Sequence, residues 1–279
     1  MSLTPDRQAV VTTHVDERFG IWVGDGAGGA MTEIVTEGPA NKRVALDRVG
    51  GLVYEAATTS GTGVFAIGPG GRTPSLVVDN ARAAQITGNG KTVVFQRAGD
   101  KPGLYRVNVD GSGLAFLMEG SVANALILPD DRTVLYLSNR SGIYSLWSVP
   151  LVGGPPRELL HRIASSLSAS PDGRWLKFGT GVVNGRPIFM MCDLPDCTNP
   201  RDLAVGRGQW TPDGRGMAFI DTTNPMNIWV QPIDGGAPYP LTKFTDKTIN
   251  DFAWSPDGKR LGITRGVGLA DIVLIKGIR

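Results

Sequence analysis

Ser170-Pro171-Asp172-Gly173-Arg174-Trp175-Leu176-Lys177-Phe178 returns as Thr211-Pro212-Asp213-Gly214-Arg215-Gly216-Met217-Ala218-Phe219, and again as Ser255-Pro256-Asp257-Gly258-Lys259-Arg260-Leu261-Gly262-Ile263. Each copy reads as a tight turn followed by a strand. Proline presets φ at the second turn position, aspartate bonds locally to backbone N–H groups, and glycine takes the left-handed conformation that closes the turn. Working outward, weaker copies stand at Thr4-Pro5-Asp6-Arg7, Leu46-Asp47-Arg48, Gly88-Asn89-Gly90 and Leu128-Pro129-Asp130-Asp131. The acidic or amide positions are 6, 47, 89, 130, 172, 213 and 257, spaced by 41, 42, 41, 42, 41 and 44 residues. A period of about 40 to 45 residues is that of a four-stranded propeller blade.

Two further periodicities run in step with the turns. Six residues after each stand Thr12, Val53, Phe95, Tyr136, Phe178, Phe219 and Ile263, read as one buried strand position. Sixteen to eighteen residues after stand Trp22, Phe65, Tyr105, Trp147, Phe189, Trp229 and Val273, each in a run rich in β-formers. The last complete unit reads as four short strands: Gln209-Trp210, residues 216–221, 227–233 and 239–244, the third and fourth joined through Asp234-Gly235-Gly236. Thirty-eight glycines and nineteen prolines suit such a turn-rich architecture and would break long helices.

The expected fold is therefore all-β, a propeller of seven four-stranded blades, with six as the alternative count. In the seven-blade reading the first blade lacks its innermost strand and the last its outermost. Residues 1–3 are expected to be an expression leftover and residues 4–279 a single propeller domain.

The Pro-Asp repeat, with strands such as NIWVQPIDGG and segments such as PYPLTKF after it, resembles the WD40-like repeat of TolB-type propellers along the whole chain. That resemblance implies a disc with a central channel, used by relatives as a protein-binding platform and fused in bacteria to peptidase, kinase or transcription-regulator modules. It implies a scaffold more than an activity. It also suggests that the chain is the C-terminal sensory part of a longer bacterial signalling protein.

The residues point to no catalytic set. There is no G-x-S-x-G elbow, and His14 and His161 are the only histidines, each expected on a surface or loop. Two histidines and the CDLPDC segment fall short of a zinc ligand set, and the glycine runs GDGAGG and GPGGR follow strands rather than opening helices. No catalytic residue, cofactor or metal is expected. Net charge is +2, so nucleic acid is not an expected partner, and no long apolar run predicts membrane contact.

What remains is a binding or sensory module for a protein, peptide or small polar ligand, expected to be monomeric. A propeller enzyme of lactonase or lyase type, with channel acids and a cation, is the alternative. Arg140 in SNRSG and Arg265 in TRG follow second strands and are the candidate polar rim. Cys192 and Cys197 enclose a turn-rich tetrapeptide and are expected to form a local disulfide, two free thiols being the alternative. A bridge there favours an extracytoplasmic or periplasmic location.

Overall fold

The computed structural model describes residues 2–3, 9–39, 42–163 and 165–276, with the backbone alone at 2–3, 9–16, 39 and 269–276. Among these residues every regular element is a strand, and the strands form six sheets. The innermost, second, third and outermost strands of blade I are Val44–Leu46, Leu52–Thr58, Gly61–Ile67 and Ser75–Val78. Blades II to V repeat that antiparallel order from Arg82–Ile86, Val122–Ile127, Ser165–Ala169 and Gln209–Trp210.

Blade VI is assembled from both ends of the chain. Its two inner strands are Thr248–Trp254 and Arg260–Lys276, and its two outer strands are Ala9–Asp25 and Met31–Pro39. Trp22 pairs with Ile263 and Asp25 with Arg260, so the early segment supplies what the late segment lacks. The propeller therefore has six blades, not seven: Trp22 and Ile263 are the third-strand and second-strand marks of one blade. No blade is left incomplete, because closure removes the unpaired edges that an interrupted ring would present. The Thr4-Pro5-Asp6-Arg7 copy lies outside the described residues.

The turns work as their composition demands. Ser170 Oγ bonds Asp172 Oδ1 at 2.6 Å and accepts the Trp175 N–H at 2.9 Å, Asp172 Oδ1 accepts the Arg174 N–H at 3.0 Å, and Gly173 sits at φ +70°. Thr211/Asp213 and Ser255/Asp257 repeat these bonds. In blade I the turn is one residue shorter, with Asp47 bonding back to Gly51 where Thr87 bonds back to Thr92. Asp47 thus occupies the Ser/Thr position, and its Oδ1 accepts the N–H groups of Val49, Gly50 and Gly51. One consequence is that Tyr54, not Val53, is the counterpart of Phe95: Tyr54 stacks on Phe65 as Phe95 stacks on Tyr105.

The core is a ring of interfaces between blades. Apolar clusters fill the I/II, II/III, III/IV, V/VI and VI/I contacts; Leu135 and Leu146 of blade III, for example, meet Leu176 and Phe178 of blade IV. The IV/V contact differs. There the indole of Trp210 lies 6.0 Å from that of Trp175 and donates from Nε1 to Ser168 O, while Lys177 Nζ crosses to Gly208 O at 2.6 Å. Cys192 and Cys197 are joined in a disulfide across the connection between the third and outermost strands of blade IV, both sulfurs buried against the III/IV cluster.

Candidate functional site

The innermost strands of all six blades surround one central cavity of about 560 Å³. Extended strands would pack around it with straight edges, but five of them carry a kink or start at one. Pairing slips between Arg82 and Gln85, between Ala123 and Leu126, between Ser165 and Ser168, and between Ile249 and Asp251, and left-handed φ values fall on Ala83, Asn124, Ser166 and Gly208. An extra residue in one strand turns its peptide groups away from the ladder. At Gly208 the exposed carbonyl is the one that Lys177 captures.

At the turn face the channel wall is tied across blades. Arg48 of blade I donates to Asp131 Oδ2 at 3.2 Å and to Pro129 O at 2.9 Å in blade III, and Asp131 also accepts the N–H groups of Gly88 and Asn89 in blade II. Arg260 of blade VI donates to Asp47 O at 2.7 Å and to Gly51 O at 3.2 Å, closing the same face between the last and first blades.

Towards the opposite face, blades V, VI and I bring Arg207, Asp251 and Arg43 to the channel wall. Burial pushes the Asp251 carboxyl up to about 6, against the charge of Arg43 and the N–H groups of Val44 and Phe252, with Glu55 adding repulsion. Glu55 lies behind, 6% exposed, its Oε1 accepting the Ala84 N–H at 3.1 Å; burial pushes it up too, opposed by that bond and by Arg43. Arg207 packs 5.5 Å over Phe219 and donates to Thr222 Oγ1.

The two rim arginines differ. Arg140 is exposed, its guanidinium 4.9 Å over Trp147. Arg265 is only 5% exposed and lies 3.9 Å over Phe244, donating to both Asp246 O and Asp246 Oδ1, so its strongest donors fasten the entry into blade VI. His161 meets both Ser145 Oγ (3.2 Å) and Glu158 Oε1 (2.8 Å), but through the same Nδ1. A proton relay needs the two partners on opposite ring nitrogens, so this trio is not a hydrolytic triad. The side chain of His14 lies outside the described residues. Among the described residues no three His, Cys, Asp or Glu side chains gather as metal ligands.

Sequence reasoning passed over Arg43, Glu55, Asp251 and Lys177. Arg43 and Asp251 share with Arg207 one repeat position, four residues before the turn residues Asp47, Ser255 and Thr211. Lys177 carried a second signal. It pairs with Ser168 as Val53, Val94, Leu135, Ala218 and Gly262 pair with the matching inner-strand residue of their blades, so a lysine stands at a small or apolar position.

No protein-family profile matches the chain, and no curated protein matches it either. Solved structures do. A protein assigned as TolB from Agrobacterium tumefaciens superposes with a TM-score of 0.66 at 18% identity, over 89% of this chain and 98% of that one. The fold is a TolB-like propeller. A chain of a nidogen/laminin complex matches with a TM-score of 0.59 at 10% identity, over 90% of this chain and 96% of that one. A gluconolactonase from Xanthomonas campestris matches equally well, TM-score 0.59 at 14% identity, over 95% and 90%. These likenesses carry the architecture, and binding proteins and enzymes share it.

Proposed function

We propose that this propeller is a non-catalytic binding or sensory module that receives a protein segment, peptide or small polar ligand at the channel mouth lined by Arg43, Arg207 and Asp251. The observation that carries the reading is that mouth itself: two cations and one half-buried acid whose carboxyl is pushed up to about 6, from three successive blades, on a cavity of about 560 Å³. Such a site offers charge-assisted hydrogen bonds in a partly desolvated setting, where they are strongest. Exposed Arg140 extends the polar rim, and Arg265 holds its shape. The nidogen/laminin and TolB likenesses support a protein or peptide partner, and the disulfide supports an extracytoplasmic setting, as part of a longer bacterial signalling protein.

A second reading, a lactonase or lyase, draws on the same Asp251, since a carboxyl near 6 is suited to proton transfer at neutral pH. One experiment separates the two. In a thermal-shift screen of small polar acids, amino acids and short peptides, a channel ligand at about 100 times its Kd adds roughly 2.7 kcal/mol of stability. Arg207→Gln should abolish that shift, and Asp251→Asn should alter affinity without any turnover to lose. Turnover of a lactone by the unaltered protein that disappears in Asp251→Asn would replace the first reading with the second.

A further inference from the structure

A smaller cleft of about 180 Å³ opens between blades II and III on the face opposite the Pro-Asp-Gly turns, apart from the channel. Arg82, Gln96, Arg97, Gly99, Gly120 and Ser121 are among the residues lining it. Gln96 is the unusual member. It is 6% exposed, yet its side-chain amide takes no hydrogen bond from any described residue. Glu55 and Thr264 hold the same strand position in blades I and VI, and both tie across to the next blade: Glu55 accepts from Ala84 N–H in its inner strand, and Thr264 donates to Lys42 O, just before the inner strand, at 3.1 Å. Gln96 makes no such tie and leaves its amide to the cleft.

Two guanidinium groups line the cleft beside that amide. Arg82 is exposed and, among the described residues, forms no ion pair, its charge acting only weakly on the Glu55 carboxyl. The Arg97 guanidinium lies 5.5 Å from the Phe95 ring and 5.2 Å from that of Tyr105 and donates to the carbonyls of Asp79 and Asn80. Bonds from Ser60, Thr58 and the Asn80 N–H, with a smaller contribution from the Arg97 charge, hold the nearby Asp79 carboxylate below its usual range. Asp100 and Glu119 are neighbours in sequence that do not line the cleft. At Gly99 and Gly120 the space where a Cβ would stand is open, so a ligand can approach the backbone. Ser121 Oγ lies 3.4 Å from the Tyr144 hydroxyl, in the loop that carries Arg140.

We propose that this cleft is a second binding site, specific for a carboxylate, which Arg82 and Arg97 attract and the Gln96 NH2 group orients. A planar oxyanion matches two guanidinium groups and an amide donor that opens to the cleft with no other protein partner among the described residues. The carboxylate comes either from a free small acid or from an acidic side chain of a bound peptide.

Titration of the 15N-labelled protein with succinate, and separately with an acetylated, amidated Gly-Asp-Gly peptide, tests this by NMR. The expected result is saturable movement of the Gln96 side-chain NH2 and of the Gly99 and Gly120 amides. Arg82→Gln should weaken the binding at least about 10-fold, as befits a lost charge-assisted bond, and Gln96→Leu about 5-fold. Arg207→Gln, in the channel, should leave it unchanged. Tighter binding of the peptide identifies a protein source, and tighter binding of succinate a free acid; either supports the site. Shifts that stay linear with both probes, or that persist undiminished in Arg82→Gln, overturn it.

Discussion

Lys177 and Asp251 are the two residues whose chemistry departs most from their surroundings. Lys177 is fully buried, its Nζ held by Ser166 Oγ (2.9 Å), Gly208 O and the Phe189 ring face, and burial pushes its pKa down to about 8 from 10.5. The folded-state value is below the unfolded one, so between pH 8 and 10.5 the unfolded chain binds more protons and this group makes stability rise with pH. Below pH 8 its full penalty, about 3 kcal/mol, is present. Lys177→Met removes both the penalty and two hydrogen bonds. The unfolding free energy of the wild type relative to this variant should therefore climb by about 2 kcal/mol from pH 7 to pH 10, measured in urea. A pH-independent difference would show that the ammonium is solvated. Asp251 runs the other way: raised to about 6, it is ionised at neutral pH at the expense of stability, as residues at binding sites often are.

At the level of strands and blades, the six interfaces are unequal. Five are sealed by apolar clusters, whereas blades IV and V meet through two indoles, the Trp210 bonds to Ser168 and the Lys177 bridge. Less buried apolar surface means less local stability. In native-state hydrogen exchange, the amides of Ser165–Ala169 and Gln209–Trp210 should exchange at least about 10-fold faster than those of Arg82–Ile86, a difference of about 1.4 kcal/mol. Equal protection would deny that the seam is weak. Much of the blade was legible beforehand, because Ser-Pro-Asp-Gly demands one turn geometry and the aromatic marks demand one register. What misled was Asp47. It bonds the turn of blade I from the Ser/Thr position, shortening it by one residue, so that Val53 is buried as expected but Tyr54 is the counterpart of Phe95. The rim reading of Arg265 rested on its place after a second strand, whereas its burial over Phe244 and its bonds to Asp246, 19 residues earlier, depend on the connection between blades V and VI, not on local pattern.

For the molecule as a whole, the blade count turned on one pairing that spans nearly the full chain. Spacing alone cannot tell an early turn copy that opens its own blade from strands that complete the last one, because closure is a contact between residues some 240 positions apart. The channel was implied by the repeat, and its chemistry was partly legible there: Arg43, Arg207 and Asp251 hold one repeat position, four residues before Asp47, Thr211 and Ser255, where the other blades carry Ala83, Asn124 and Ser166, but they converge only when blade VI closes the ring. Closure is thus the claim on which both the six-blade count and the channel mouth depend. Cross-strand Hα–Hα contacts in NMR spectra of the deuterated, selectively reprotonated protein test it most directly. Such contacts are expected at alternate pairs between Gly20–Asp25 and Arg260–Arg265, in the register that sets Trp22 opposite Ile263. Their absence, or contacts joining Ile21–Val23 to a strand other than residues 260–276 and 31–39, would contradict it.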